Sequence, residues 1–148
     1  MYGWIEQVEL DFYPRCDDGS LPRESALYHW FSLLMRATED ACKPLAYNTQ
    51  TRQMLQQAGF TEVAEQVIRV PFHQWSTDGH ENDIGTWGLL GFGDLEFLES
   101  LSYGPFSRVL RWDKGRIDKL LKDVRREILS RDYHVYVEMH IWTGRRPA

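Results

Sequence analysis

The sequence predicts a small α/β protein built on one mixed, three-stranded sheet. Residues near 4–12 and 133–142 alternate apolar and polar side chains, as strands with two unlike faces do. A third segment, near 63–70, is rich in β-branched residues, which favour strands. The segments between these strands have helical periodicity, and long helical connections favour helices layered on a sheet over hairpins.

The first and last strands each have an apolar and a polar face. Pro14 ends the first strand, because proline has no N–H group for the ladder. On the first strand, Trp4, Val8, Leu10 and Phe12 alternate with Gln7, Glu9 and Asp11. On the last strand, Val135, Val137, Met139 and Ile141 alternate with Tyr136, Glu138, His140 and Trp142.

Three segments have a clear helical pattern: 25–42, 49–58 with Gly59 as its stop, and 114–130. Residues 72–93 hold five glycines and are predicted to be irregular. A weaker helical pattern covers 89–101. Pro105 then interrupts the chain, and a further short helix is expected over 106–112.

Composition limits the classes of function. The 148 residues form one domain, 1–148, and the net charge of −5 argues against a nucleic-acid partner. We find no apolar run long enough for a membrane span and no leader peptide. Cys16 and Cys42 have neither metal-ligand spacing nor a disulfide pattern, so we expect an intracellular, cytoplasmic protein.

Five short motifs then carry a resemblance to a known family. They are residues 3–6 (GWIE), 55–63 (LQQAGFTEV), 71–75 (PFHQW), 84–87 (IGTW) and 144–147 (GRRP). In this order they resemble the C-terminal half of the LaeA-like class I methyltransferase-fold proteins of fungal secondary metabolism, over nearly the whole chain. The resemblance implies a truncated methyltransferase-like fold, in which the last strand lies antiparallel between the other two. Residues 72–113 would form a helical cap over the substrate.

The same resemblance implies that the cofactor half is missing. In class I methyltransferases, S-adenosylmethionine binds a glycine-rich loop after the first strand of the fold, whereas this sequence starts at the fifth and has no such loop. We therefore expect no cofactor and no self-sufficient methyl transfer. Whether Met1 is a native start or the boundary of a longer methyltransferase stays open.

Acid–base chemistry is the remaining possibility. If the first and last strands pair, Glu9 and Asp11 lie beside Glu138 and His140, which would form a catalytic proton-transfer group. The alternative is an ordinary polar sheet face. Candidate substrate-binding residues in the cap are His73, Trp75, His80, Trp87 and Tyr103. No metal is expected, because His73, His80 and Asp83 match no ligand motif.

These features lead to two functional hypotheses. The first is a cofactor-independent cyclase, isomerase or dehydratase that acts on a polyketide- or terpenoid-like natural-product intermediate. The alternative is a non-catalytic partner subunit of a methyltransferase-like or regulatory complex, or a fragment of a full methyltransferase. In either case the first strand has lost its neighbour, so its edge is expected to form a homodimer, or a heterodimer with a methyltransferase-like chain.

Overall fold

A computed structural model of the chain describes residues 3–147 and confirms the α/β class. Within that range it has three strands and five helices. In chain order these are β1 (Gly3–Arg15), α1 (Ala26–Asp40), α2 (Thr51–Gln57), β2 (Thr61–Pro71), α3 (Gly79–Phe92), α4 (Leu95–Arg108), α5 (Lys114–Ile128) and β3 (Tyr136–Arg146). None of the helices in residues 3–147 is both long and apolar enough to cross a membrane.

The sheet has the strand order β1-β3-β2, so the last strand lies in the centre as the resemblance implies. The expectation of a mixed sheet is wrong, because β3 pairs antiparallel with both neighbours. β1 also does not end before Pro14. An irregularity between Asp11 and Arg15 places Pro14 outside the paired positions, and pairing resumes where Arg15 lies opposite Tyr136.

One face of the sheet packs on the helices and forms the core. Leu10 and Phe12 of β1 and Val137 of β3 lie on this face and contact the buried cluster of the helical layer. The Phe92 ring of α3 connects the two layers, since its centroid lies 6.3 Å from that of Phe12 and 4.5 Å from that of Phe72. Burial of such rings is the main source of stability in a core of this kind.

Helices α1 and α5 are joined by apolar packing and by a shared cap. The predicted apolar stripe of α5 is confirmed, with Ile117, Leu121, Val124 and Ile128 all buried. At the start of α1, the Glu127 carboxylate of α5 accepts the backbone N–H groups of Ala26 and Leu27 at 2.9 and 2.8 Å. A carboxylate at this position satisfies free N–H groups and complements the positive end of the helix dipole.

Helix α3 occupies part of the segment that the glycine content predicted to be irregular. Asp78 caps it by accepting the Glu81 N–H at 2.9 Å. Two of its glycines, Gly85 and Gly88, lie where the helix closely approaches the chain after β2. A Cβ atom at Gly85 would lie 2.5 Å from the His73 carbonyl oxygen, and one at Gly88 would lie 1.9 Å from that of Pro71. The pattern therefore reflects tight packing and not a loop.

Helix α4 continues through Pro105, where the sequence predicted an interruption. The proline stands in the last turn, where it removes one backbone hydrogen bond. Phe106, the next residue, is fully buried in the core, and the Val109 N–H still bonds the Pro105 carbonyl at 3.0 Å. Packing of this turn outweighs the lost bond, so the separate helix expected over 106–112 does not form.

The close approach of α3 predicts unequal effects for two glycine substitutions in the same helix. Gly88→Ala must displace the backbone at Pro71, so we expect it to lower the free energy of unfolding by at least about 1–3 kcal/mol. Gly91→Ala is the matched control, because no atom of the described part of the chain lies within 4 Å of its added Cβ; it should be neutral or stabilising by up to about 1 kcal/mol. Urea unfolding of both variants measures the difference. Equal stabilities would contradict the packing described here.

Candidate functional site

The face of the sheet opposite the core carries most of its charged residues, and we call it the polar sheet face. Its members are Gln7, Glu9 and Asp11 of β1, Glu138, His140 and Trp142 of β3, and Glu65, Val67 and Arg69 of β2. The register places Glu9 directly opposite His140, and Asp11 opposite Glu138. The four residues predicted as an acid–base group therefore share one face at adjacent positions. Their catalytic role stays a prediction.

His140 lies at the centre of this face, on the central strand, and is only 7% exposed. Its Nδ1 lies 2.7 Å from Glu65 Oε1, across the ladder on β2. The Tyr47 ring, from the segment before α2, stacks on the imidazole with centroids 3.9 Å apart. Because a carboxylate only accepts hydrogen bonds, Nδ1 must carry a proton, which assigns the tautomer of the neutral ring.

Tyr47 closes a chain of polar contacts above the imidazole. Its hydroxyl donates to Glu65 Oε1 at 3.1 Å and accepts from Trp142 Nε1 at 3.2 Å. Burial raises the pKa of the Tyr47 phenol, and its bond to Glu65 acts in the same direction, while the Trp142 donor opposes them. The hydroxyl therefore stays protonated as a donor at neutral pH, and the Glu65 carboxylate is held between two donors.

The other nitrogen of His140 has no comparable contact. Nε2 is buried and has no hydrogen-bond partner among the described residues, and Glu138 Oε2 lies 3.9 Å away. That separation is too long for a hydrogen bond. A buried nitrogen without a partner carries a desolvation cost, so this atom is the most unusual feature of the face.

Arg15 supplies the positive charge next to this nitrogen. Its guanidinium lies 2.7 Å from Asp11 Oδ2 and 2.9 Å from Glu138 Oε2, so it bridges the two carboxylates. The irregularity in β1 returns Arg15 to the sheet at the position opposite Tyr136, which makes this contact possible. All three side chains are about three-quarters buried. The face as a whole is acidic and suited to holding protons or cations.

Two of the predicted substrate-binding residues contact the start of β3 instead of an open cavity. His73 is buried, with Nε2 2.9 Å from the Tyr133 carbonyl oxygen. Trp75 donates from Nε1 to the Val135 carbonyl at 3.2 Å and stacks on His134. The ring nitrogens of His73 and Trp75 therefore position the chain before β3. Substrate binding by these two residues stays a prediction.

The other three candidates lie on separate surfaces. His80 is exposed at the start of α3 and lines a shallow depression between that helix and β2, and Trp87 is 74% exposed on α3. Tyr103 donates its hydroxyl to Asp118 and accepts from Lys114 Nζ at 2.8 Å on the outside of α4 and α5. The structure therefore does not bring the five predicted residues into one site.

Sequence reasoning missed Tyr47, Glu65 and Arg15. Glu65 could have been found, because continuing the alternation of β2 places it opposite Trp142 on the polar sheet face. Arg15 and Tyr47 had no such signal. Arg15 follows Pro14, the predicted end of the strand, and Tyr47 stands in an irregular segment whose direction no periodicity reveals.

Comparison with known proteins shows what the chain is similar to. The chain is 47% identical over 146 residues to the secondary metabolism regulator LAE1 of Cochliobolus heterostrophus, and 40% identical over 146 residues to the secondary metabolism regulator laeA of Aspergillus flavus. It is 43% identical over 145 residues to the protein-methionine methyltransferase laeA of Emericella nidulans. The chain is similar to these LaeA proteins over almost its entire length. This confirms the resemblance found in the motifs.

The match covers 97–98% of this chain but only 47%, 39% and 38% of the three LaeA relatives, so the chain spans less than half of their length. No family model matches the chain, and no solved structure matches it at a significant level. The LaeA relatives imply a methyltransferase-like fold.

These relatives correct the first functional hypothesis. A cyclase, isomerase or dehydratase is wrong for this chain, because its LaeA relatives are named as regulators of secondary metabolism and, in one case, as a protein methyltransferase. They lend no support to cofactor-independent chemistry or to a homodimer. The alternative, a regulator or methyltransferase segment, agrees with them.

The carboxylate bridge predicts measurable coupling between Arg15 and Glu138. In a double-mutant cycle of Arg15→Gln and Glu138→Gln, we expect a coupling of about 0.5–3 kcal/mol in the free energy of unfolding, because the pair is mostly buried. The control cycle uses Arg36 and Asp40, an exposed pair on α1 at 4.0 Å, whose coupling should be at most about 0.5 kcal/mol. Similar values for both cycles would contradict a special role for the bridge.

The hydrogen bonds of Tyr103 on the protein surface predict that its substitution changes the pKa of the Asp118 carboxyl group. The Tyr103 hydroxyl, followed by Lys114, lowers the pKa of Asp118, so this ionised carboxylate stabilises the fold above its unfolded pKa, and that contribution is lost as the pH falls through the folded value. In Tyr103→Phe the pKa of Asp118 should rise toward its ordinary value of about 4. Carbon-13 NMR of the carboxyl group against pH measures the rise. Ser100→Ala, on the same helix, should leave it unchanged.

Proposed function

We propose that this chain is a functional segment of a LaeA-type regulator of secondary metabolism. We further propose that the outer edge of β1 pairs with a strand in the rest of a methyltransferase-like fold. The similarity to the LaeA relatives over almost the entire chain carries this proposal. Those relatives are more than twice as long as the matched segment, which leaves a large part of their fold to be supplied by other residues.

The local structure favours a contribution to assembly over independent methyl transfer. β1 leads into a loop with one glycine, Gly19, and β2 leads into the tightly packed chain before α3. Neither connection has the glycine-rich turn into a helix that binds the phosphate or ribose part of a nucleotide-like cofactor. Residues that bind S-adenosylmethionine would therefore come from the remainder of the regulator, on the same or another chain.

The outer edge of β1 is suited to pair with another strand. Among residues 3–147, β1 pairs only with β3, and it does so without a break from Gly3 to Asp11. Trp4, Val8 and Tyr13 are 66%, 54% and 50% exposed along it. A long, regular edge with exposed apolar side chains readily accepts a further strand.

The outer edge of β2 is protected in the ways that edges of natural sheets usually are. Its register with β3 shifts between Thr61 and Ala64, which interrupts the regular ladder. Arg52 of α2 donates to the Val63 carbonyl at 2.9 Å and so occupies a group that a new strand would need. Of the two outer edges, β1 is therefore the one open to pairing.

A chimeric regulator tests the proposal. The segment of the Emericella nidulans laeA protein that matches this chain is replaced by the chain, and the chimera is expressed in a strain that lacks laeA. We expect secondary metabolite production to recover. Trp4→Lys combined with Val8→Lys should abolish the recovery, because charges along the β1 edge prevent strand pairing.

Leu90→Lys is the control, since it introduces the same charge at a 64% exposed position of helix α3; it should retain the recovery. If the chimera accumulates normally and metabolite production stays absent, the regulatory assignment is wrong. If the doubly substituted chimera recovers as well as the parent, the function of the β1 edge is wrong.

The mass of the purified chain in solution distinguishes the two strands that could pair with the β1 edge, one from a second copy of this chain and one from the rest of the regulator. A dimer that dissociates on Trp4→Lys with Val8→Lys would support pairing with a second copy, as the sequence predicts. A monomer in light scattering contradicts the homodimer and leaves a strand of the regulator as the occupant.

A further inference from the structure

We propose that Asp11, Glu138 and His140 form a binding site for a divalent transition-metal ion on the polar sheet face. One ligand atom from each residue, a carboxylate oxygen or an imidazole nitrogen, lies within 4.8 Å of the other two. Nothing in the spacing of these residues along the sequence matches a metal motif, because they are brought together by the antiparallel register of β1 and β3. The site does not depend on the regulatory function proposed above.

His140 Nε2 is the observation that points to a ligand. The ring is nine-tenths buried, Nδ1 carries its proton toward Glu65, and Nε2, on the Asp11–Glu138 side, has no hydrogen-bond partner within residues 3–147. A neutral imidazole in this tautomer has a lone pair on Nε2. A lone pair facing carboxylate oxygens in a buried position is unfavourable unless a positively charged species lies between them.

The distances suit a metal ion better than a direct contact. Nitrogen and oxygen ligands of zinc lie at about 2.0–2.2 Å from the ion, so two ligands of one ion are separated by roughly 3–4 Å. Nε2 and Glu138 Oε2 are 3.9 Å apart, within that range. The remaining separations, up to 4.8 Å, need only a small rotation of a carboxylate that is not fully buried.

Arg15 holds the carboxylates in the absence of a metal and competes with one. Its guanidinium bridges Asp11 and Glu138 at 2.7 and 2.9 Å, the position where a cation is most favourable. In the same conformation its Nη1 donates to the Tyr13 carbonyl at 3.0 Å, and the guanidinium lies 5.6 Å from the Tyr13 ring centroid. A metal can therefore displace the bridge without leaving the guanidinium without partners.

The surroundings also match those of known metal sites. A ligating histidine usually donates its other N–H to a carboxylate, which orients the ring and raises its basicity, and Glu65 is placed to do this. An imidazole with two carboxylates suits zinc, manganese or iron better than magnesium or calcium, which prefer oxygen alone. Three protein ligands leave at least one coordination position for water or another ligand.

The test is a calorimetric titration of the tag-free chain, treated first with a chelator, with Zn²⁺, and a parallel absorption titration with Co²⁺. We expect one equivalent to bind, with a Co²⁺ spectrum showing nitrogen and oxygen ligands. His140→Phe keeps a ring against Tyr47 and removes the nitrogen, so it should abolish binding. Glu138→Gln, at a more exposed position, should also weaken it at least about tenfold and does not depend on His140→Phe folding correctly.

Three further variants distinguish this site from general surface binding. Arg15→Gln should increase the affinity for Zn²⁺, because it removes the competing cation. Glu65→Ala should reduce it by roughly 10–100-fold by removing the partner of Nδ1. His80→Ala, at an exposed histidine on α3, should have no effect.

Two results would overturn the proposal. One is Zn²⁺ binding that His140→Phe and Glu138→Gln leave unchanged, or that Arg15→Gln weakens. The other is absence of Zn²⁺ and Mn²⁺ binding together with nitrogen-15 NMR signals that show both His140 ring nitrogens protonated at neutral pH. The ring would then be an imidazolium ion between Glu65 and Glu138, and the positive charge would be a proton and not a metal.

Discussion

The antiparallel register of β1 against β3 is the constraint on which the rest of the structure depends. Because side chains alternate between faces along a strand, a shift of one residue would exchange the two faces of the sheet. The observed register pairs Leu10 with Met139, and Asp11 with Glu138. Apolar side chains of both strands therefore meet on the helical side and acidic ones meet on the other. The core and the polar sheet face are two results of one alignment.

The polar sheet face is an energetically unfavourable arrangement for a central strand. Burying a histidine among carboxylates costs desolvation, which their mutual attraction balances only where geometry and hydrogen bonding are good. Around Nδ1 they are good, because Glu65, Tyr47 and Trp142 form a continuous set of contacts. Around Nε2 they are incomplete. The unusual chemistry of the face is therefore at one atom, His140 Nε2, and is not a property of its overall charge.

Much of the sheet could be predicted from sequence, because alternation reports which residues share a face and the family resemblance supplies the strand order. The same reasoning placed Glu9 and Asp11 beside Glu138 and His140. It failed where local composition and tertiary packing disagree. Gly85 and Gly88 resemble loop residues, yet they lie inside α3 because no Cβ fits against the chain after β2. Pro105 resembles a helix stop, yet the burial of Phe106 holds the last turn of α4 in place.

The candidate site was predicted in part for the same reason. Side chains that belong to regular strands follow from periodicity, whereas Tyr47 and Arg15 depend on the path of irregular backbone. Arg15 is the clearest case, since it reaches the carboxylates only after an interruption of the β1–β3 ladder. Residues of this kind cannot be assigned to a face by counting, because each extra unpaired residue changes the side to which the next one points.

β1 connects the regulatory proposal with the metal site, because its outer edge and the ligand Asp11 belong to the same strand. A strand added to that edge would lie next to Glu9 and Asp11 and would reduce their contact with water. Electrostatic attraction between carboxylates and a cation strengthens as solvent is excluded. Pairing at the edge and cation binding on the face would then favour each other, and by linkage the effect must be equal in both directions. A metal ion on the polar sheet face would in this way stabilise the assembled regulator relative to the separate segment.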